Sequence, residues 1–369
     1  MTRPDLCPDA AVRATPPPPP PSCRARLDGS APVQDRRSLM AAVKPFQAPL
    51  LWRSLWQFAS TFLAFVALDA AMYASLRVSV LLTLALAVPT AGLMVRLFII
   101  QHDCGHGSFF RSRRANDLLG RFCSTFTFTP YAFWRRQHAN HHACFNNLDR
   151  RDTGVDIYST CATLREYEAL TPARRWRYRV SRHLVVTQFL LPPLVFLVVY
   201  RLPFDAAGAS WRRERRSVHL TNGAIAGVLG VLVLAFGAGP VALVQLAILA
   251  PASIVGVWLF SVQHRFEEAQ WARQEHWNPV QASLEGSSCL ELPRVLQWFT
   301  GSIGFHHVHH LSARVPNYRL QACHEAHAVL REGVSTLTLR EALAAPYYAL
   351  WDEEQGRMVR FPKRRSRLP

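Results

Sequence analysis

The apolar residues of this chain gather into long runs carrying few charges, a pattern that a water-soluble fold avoids and a bilayer demands. About 20 helical residues cross the hydrocarbon. Four runs have that reach, over about 54–76, 78–100, 220–236 and 241–262. A very short turn separates the first two and Gly237-Ala238-Gly239-Pro240 joins the last two, so each pair predicts a helical hairpin. A fifth run, 184–200, is shorter, contains Pro192-Pro193 and has basic residues on both sides. Proline interrupts helices and the basic flanks assign both ends to one side. This run is therefore expected to lie in the interface or re-enter, without crossing.

Polar stretches frame the runs. Residues 1–44 are rich in Pro, Arg and Ala, with an unbroken proline run from Pro16 to Pro21. Such a segment buries too little apolar surface to order itself and is expected to form a disordered tail. It lacks the apolar core of a signal peptide, and Met40 offers a second initiation point. Residues 346–369 are expected to form a basic tail, which leaves 45–345 as the membrane domain.

Composition adds an orientation. Half of the 369 residues are hydrophobic, and the formal net charge of +17 lies mostly outside the apolar runs. Excess Lys and Arg mark the cytoplasmic side, held against anionic lipid. Both termini and the active face are therefore expected to be cytoplasmic, in a multi-pass protein of the cell membrane. Nothing in the sequence supports nucleic-acid binding as the reason for the charge. The eight cysteines form no Cys-x-x-Cys pair and are read as reduced thiols on that face.

Histidine supplies the chemistry. His306-His307-Val308-His309-His310 holds four imidazoles in five positions, too dense for an ordinary core, because each buried ring nitrogen needs a partner. On a helix His306, His309 and His310 share one face while His307 points elsewhere. The same spacing recurs in His138, His141 and His142, and His102 with His106 is an i, i+4 pair. Eight of the fifteen histidines thus fall into three sets, more ligands than one ion takes, and two ions in one site is the natural count. Imidazole suits iron, zinc and copper alike, so ligand type alone leaves the metal open. If all five apolar runs crossed, the third cluster would face the opposite side from the first two. Four spans put all three together. The expected fold is an all-α integral membrane protein: four transmembrane helices as two hairpins, an interfacial segment, and a cytoplasmic helical cap carrying a His-rich dimetal site.

Three stretches carry a family resemblance: Gln101-His102-Asp103-Cys104-Gly105-His106-Gly107; Thr129-Pro130-Tyr131 leading to His138–His142; and Phe299-Thr300-Gly301-Ser302-Ile303-Gly304-Phe305 leading to His306–Leu311. In their order and setting the chain resembles the membrane-bound fatty acid desaturases of the acyl-lipid type, the group with the Δ12 and ω-6 enzymes. The resemblance covers roughly residues 45 to 345. It implies a non-haem di-iron centre that takes two external electrons, uses O₂ as co-substrate and introduces a cis double bond into the acyl chain of a membrane lipid. His264, leaving the membrane at a position equivalent to His102, is by the same resemblance a ninth ligand. Ser302 stands where many family members have Asn, and Cys144-Phe145-Asn146 replaces smaller or more polar residues beside the second cluster. The sister di-iron hydroxylases, conjugases and ketolases share the clusters and stay open as alternatives. A membrane metal transporter fits poorly, because transporters place ionisable groups near the bilayer midplane.

Around the ligands, metal-bound imidazoles generally donate their second N–H to a carboxylate or carbonyl. Asp103, Asp149, Asp152, Asp156 and His307 are candidates for this supporting shell. Asp69, unexpected within the first span, is read as pocket-facing or paired with an arginine. The stretch 122–134 interleaves aromatics with Ser and Thr and suits either an acyl-groove wall or an interfacial helix. No dinucleotide fingerprint, cytochrome-like fusion or iron–sulfur cysteine pattern is present, so electrons are expected from a separate ferredoxin, or a cytochrome with its reductase. The basic patches Arg111-Ser112-Arg113-Arg114 and Arg174–Arg179 are candidate docking sites for it.

Overall fold

A computed structural model describes residues 36–151, 158, 160–204, 206 and 208–362. Four helices in it are long and apolar enough to cross a membrane. The first two are α1, Leu51–Ser75, and α2, Val80–His106. They turn back on each other through four residues, with the Ser79 hydroxyl capping the Leu82 N–H at the start of α2. Next come α3, Arg113–Phe126, α4, Tyr131–Cys144, and α5, Pro172–Ser181. The second hairpin is α6, Arg212–Phe236, and α7, Ala238–Val262, which meet at Gly237 with a φ of 84°. That left-handed value favours a residue without Cβ.

Helix α2 is the central post. It packs on α1, on α7 and on α3, and its Leu93, Met94, Leu97 and Ile100 are buried. It does not stop at residue 100 but runs on for almost two more turns, carrying the first histidine pair on the same rigid rod. Gly107, with a φ of 73°, ends it. The expected interfacial run folds as a π-helical turn, Val185–Leu190, and a short helix, Leu191–Leu197. With α5 it forms a pair bent by 44°, which is a broken span or a re-entrant loop by shape.

The remaining elements make the cap. Helices α8, His306–Leu311, and α9, Asn317–Ala326, lie among very short strands. Strand β1, Ala162–Thr163, pairs in parallel with β4, Leu350–Asp352, which pairs antiparallel with β5, Arg357–Val359. Strand β2, Cys289–Leu290, pairs in parallel with β3, Thr336–Leu337.

Several sequence expectations are corrected here. The tail expected over 1–44 gives way at Arg36 to a helix, Arg36–Val43, whose Leu39 and Val43 are buried; most of the tail lies outside the described residues. The segment read as a basic tail from residue 346 begins instead with a β4–β5 hairpin whose Leu350, Trp351 and Met358 are buried. An apolar alternation over so few residues is too brief to stand out from a charged background. Among the described residues no arginine holds Asp69: its carboxylate accepts from the Gln245 amide of α7, which also donates to Tyr73. In the aromatic stretch, the exposed Phe122 and the partly buried Phe126 pack edge-on against Phe62 of α1, while Thr127, Phe133 and Trp134 line a cavity described below.

Candidate metal centre

Nine histidines from four elements converge beneath the cap. Helix α2 brings His102 and His106, α4 brings His138, His141 and His142, the residue after the α7 C-cap is His264, and α8 brings His306, His309 and His310. Each sequence cluster is helical, so the i+4 partner lies about 40° round the helix from i, while the i+3 residue lies about 60° to the other side. The consequence is a division that crosses the sequence clusters. His102, His106, His138, His142 and His309 form one group, with a ligand atom from each lying within 4.8 Å of all the others. His141, His264, His306 and His310 form a second group by the same measure. In α4 and in α8 the i, i+4 pair serves one group and the remaining histidine the other.

The hydrogen-bonding capacity of these rings shows what they suit. In the second group the Nε2 atoms close a ring: His264 to His141 at 3.1 Å, His141 to His310 at 3.4 Å, His310 to His306 at 2.9 Å, and His306 to His264 at 3.0 Å. A neutral imidazole nitrogen offers either a hydrogen or a lone pair, never both. Around such a ring at most two nitrogens can donate, which leaves two contacts without a hydrogen between them. A cation that accepts all four lone pairs removes the conflict. In the first group the Nε2 atoms of His138 and His309 each lie 3.1 Å from that of His142, and the buried Nε2 of His106 has no hydrogen-bond partner. Burial, reinforced by neighbouring imidazoles, holds His138, His142, His306, His309 and His310 well below the ordinary histidine value of 6.5. They are neutral near pH 7, the form that binds metal. The residues fit a pair of metal ions.

Supporting contacts are partly those expected. Asp103 touches His102 Nδ1 through one oxygen, at 3.2 Å, and its other oxygen accepts from the Asn317 backbone and side-chain amides at 2.7 and 2.8 Å. Asp149 faces away: it pairs with Arg273 and accepts from the Gln274 N–H. Burial raises its carboxyl, but these donors more than offset that and hold it below the usual range. Asp152 and Asp156 lie outside the described residues. His307 turns from both groups toward His324.

Sequence reasoning missed Asn317, the far anchor of Asp103, and the aromatic packing of the rings. Trp134 stacks on His138 at 4.7 Å and 17°, and Phe145 lies 4.1 Å from His310. The hint for Trp134 was its i, i+4 spacing to His138; Asn317 left none, being 214 residues from its partner.

An apolar cavity of about 250 Å³ opens beside the histidines. His102, His138, His141 and His306 line it, with Met94 and Phe98 of α2, Phe133 of α4, Val257 and Phe260 of α7 and Phe196 of the interfacial segment. Two close-set groups of neutral ligands next to a hydrocarbon-lined cavity suit chemistry on an apolar substrate.

Comparison with known proteins gives the same direction. The family model described as fatty acid desaturase matches residues 77–338. A protein named "Fatty acid desaturase" from Bacillus subtilis (strain 168) is 44% identical over 326 residues, covering 88% of this chain and 91% of that protein. Two proteins of Synechocystis sp. are more distant. One, named sn-1 oleoyl-lipid 12-desaturase, is 28% identical over 62% of this chain and 63% of its own length. The other, named sn-1 acyl-lipid omega-3 desaturase (ferredoxin), is 26% identical with the same coverage of both, 62% and 63%.

Proposed function

Because the chain belongs to the fatty acid desaturase family and is an enzyme of that kind, we propose that it carries out O₂-dependent, di-iron desaturation. Its substrate is the acyl chain of a membrane lipid, its product a cis double bond of the Δ12/ω-6 type. The observation that carries this reading is the pair of buried imidazole groups abutting an apolar cavity. In the proposal His102, His106, His138, His142 and His309 hold one iron, and His141, His264, His306 and His310 hold the other.

A di-iron centre, when bound and supplied with O₂ and electrons, provides an oxidant strong enough for an unactivated methylene, which no side chain can deprotonate. Overall, two acyl hydrogens, two electrons and two protons leave with O₂ as two waters. The chain's own residues do the rest. Met94, Phe98, Phe133, Val257 and Phe260 bind the hydrocarbon and exclude water from it. Asp103, braced by Asn317, fixes the His102 ring, and Trp134 fixes that of His138. How far the acyl chain enters before it meets His102 and His306 selects the carbon pair. The named positions of the two cyanobacterial relatives differ, 12 and omega-3, so the Δ12/ω-6 placement rests on the sequence resemblance.

The electron donor in this reading is a separate ferredoxin, or a cytochrome with its reductase; one relative's name carries ferredoxin and another's cytochrome b5. It docks on the basic surface at Arg111–Arg114 or Arg174–Arg179, on a face that is cytoplasmic together with both termini. The test is mass spectrometry of fatty acids, with double bonds mapped by derivatisation, from a bacterial host expressing the chain with a ferredoxin system. A new unsaturated species is expected from the intact chain and none from His309→Ala. A hydroxylated product would transfer the chain to the sister oxygenases, and a product from His309→Ala would break the assignment of the metal ligands.

A further inference from the structure

The nine imidazoles do not exhaust the metal-binding side chains beneath the cap. Cys289, His307 and His324 bring one donor atom each within 4.8 Å of one another, on the side of α8 that faces away from the two imidazole groups. Cys289 is 2% exposed and His307 fully buried, while His324 is half-buried at the edge of the cap. Nε2 of His307 lies 3.0 Å from Nδ1 of His324, a separation that one N–H···N hydrogen bond or a shared cation would each account for. Backbone groups of Ser288 and Leu330 flank the His307 ring, Leu330 also flanks His324, and the Thr336 hydroxyl bonds the cysteine side chain. Nδ1 of His307, its other ring nitrogen, is buried with no hydrogen-bond partner among the described residues, and a hydroxyl beside sulfur is the kind of neighbour that orients a metal ligand.

We propose that Cys289, His307 and His324 form a third, mononuclear site for a zinc-class divalent cation. The donor set differs in kind from the other two. A thiolate with two imidazoles favours a borderline-soft ion, whereas the larger centre offers nitrogen alone. Binding replaces the thiol proton, which is released to solvent, so sulfur enters as thiolate and the site keeps one net positive charge. Three protein ligands leave a fourth position for solvent on the His324 side. Its part in this proposal is mechanical, although it lacks the four protein ligands of a closed structural zinc site. Cys289 belongs to β2, bridges to Phe305 immediately before α8, and is followed by Leu290, whose N–H donates to Gly304. His307 belongs to α8 and His324 to α9. One ion thus ties three separate pieces of chain around the helix that supplies His306, His309 and His310.

The inference does not depend on the activity proposed above, and its test reads zinc content and not turnover. Full-length protein, Cys289→Ser and His324→Gln are purified in detergent from cells supplied with both metals, and iron and zinc are counted by mass spectrometry. The expected result is about one zinc per wild-type chain, at least a fivefold drop in both variants, and iron unchanged. Cobalt exchanged into the wild type should show a thiolate-to-cobalt absorption that Cys289→Ser lacks. Should the serine variant fail to fold, seen as loss of iron too, the cobalt band in wild type and the zinc content of His324→Gln decide. Zinc absent from folded, iron-loaded wild type, or equal in wild type and the folded variants, overturns the proposal.

Discussion

At the scale of single residues, the arrangement depends on a few hydrogen bonds that orient rings. Asp103 is the clearest: one carboxylate oxygen sets His102 and the other holds the backbone and side chain of Asn317 at the start of α9. Asp103→Asn keeps the size but loses the charge and turns one acceptor into a donor. Metal affinity should fall by about 10- to 100-fold, the range for second-sphere partners of metal-bound histidine. Metal retained after dialysis against graded chelator measures this, and unchanged retention would reduce Asp103 to a tie between α2 and α9. The acid next to the first pair was legible in the sequence because it adjoins His102. Its second partner was not, since a contact across 214 residues leaves no local pattern.

At the scale of elements, close packing sets where the ligand-bearing helices stand. A Cβ on Gly120 of α3 would lie 2.2 Å from the Tyr131 ring, which opens α4 and donates to the Cys104 carbonyl on α2. Gly120→Ala therefore cannot be accommodated without moving Tyr131 and with it the helix of His138, His141 and His142. Such overpacking costs about 1–3 kcal/mol, and a lowered thermal midpoint with reduced metal content in the purified variant is the expected outcome. A variant as stable and as fully loaded as wild type would show that α4 can shift freely. Long apolar runs predict the four long helices well, because the bilayer requires about 20 residues at a stretch. Elements of two or three residues such as β2 and β3 leave no period to read, which is why the Cys289 neighbourhood was invisible before the fold.

For the whole molecule, two hairpins with a cap on one side make a definite topological statement. If both termini and the histidines are cytoplasmic, the α1–α2 turn and the α6–α7 turn face the other way. Single cysteines placed at the exposed positions Arg77 and Ala238 should react with an impermeant thiol reagent in intact cells, whereas one at Ser112 should react only after lysis. Labelling of all three in intact cells would invalidate the two-hairpin arrangement. The run 184–200 was demoted on its shortness, its prolines, its basic flanks and the need for three histidine clusters to share a side, and its bent shape fits a broken span or a re-entrant loop alike. What could not be read was the allocation of individual rings. Spacing predicts which histidines share a helix face, but which of two centres each joins depends on how α4 and α8 stand against α2 and α7.

That allocation has a consequence for how the protein comes to maturity. Because α4 and α8 each contribute to both groups, neither centre is complete until both helices are seated. Helices α2 and the end of α7 each serve only one group, so the seating of α4 and α8 is the step that the two groups share. A chain with α8 displaced loses His309 from one group and His306 and His310 from the other in a single movement. A fault in α8 is therefore a fault in both groups at once, whereas one in α2 or at the end of α7 is confined to a single group.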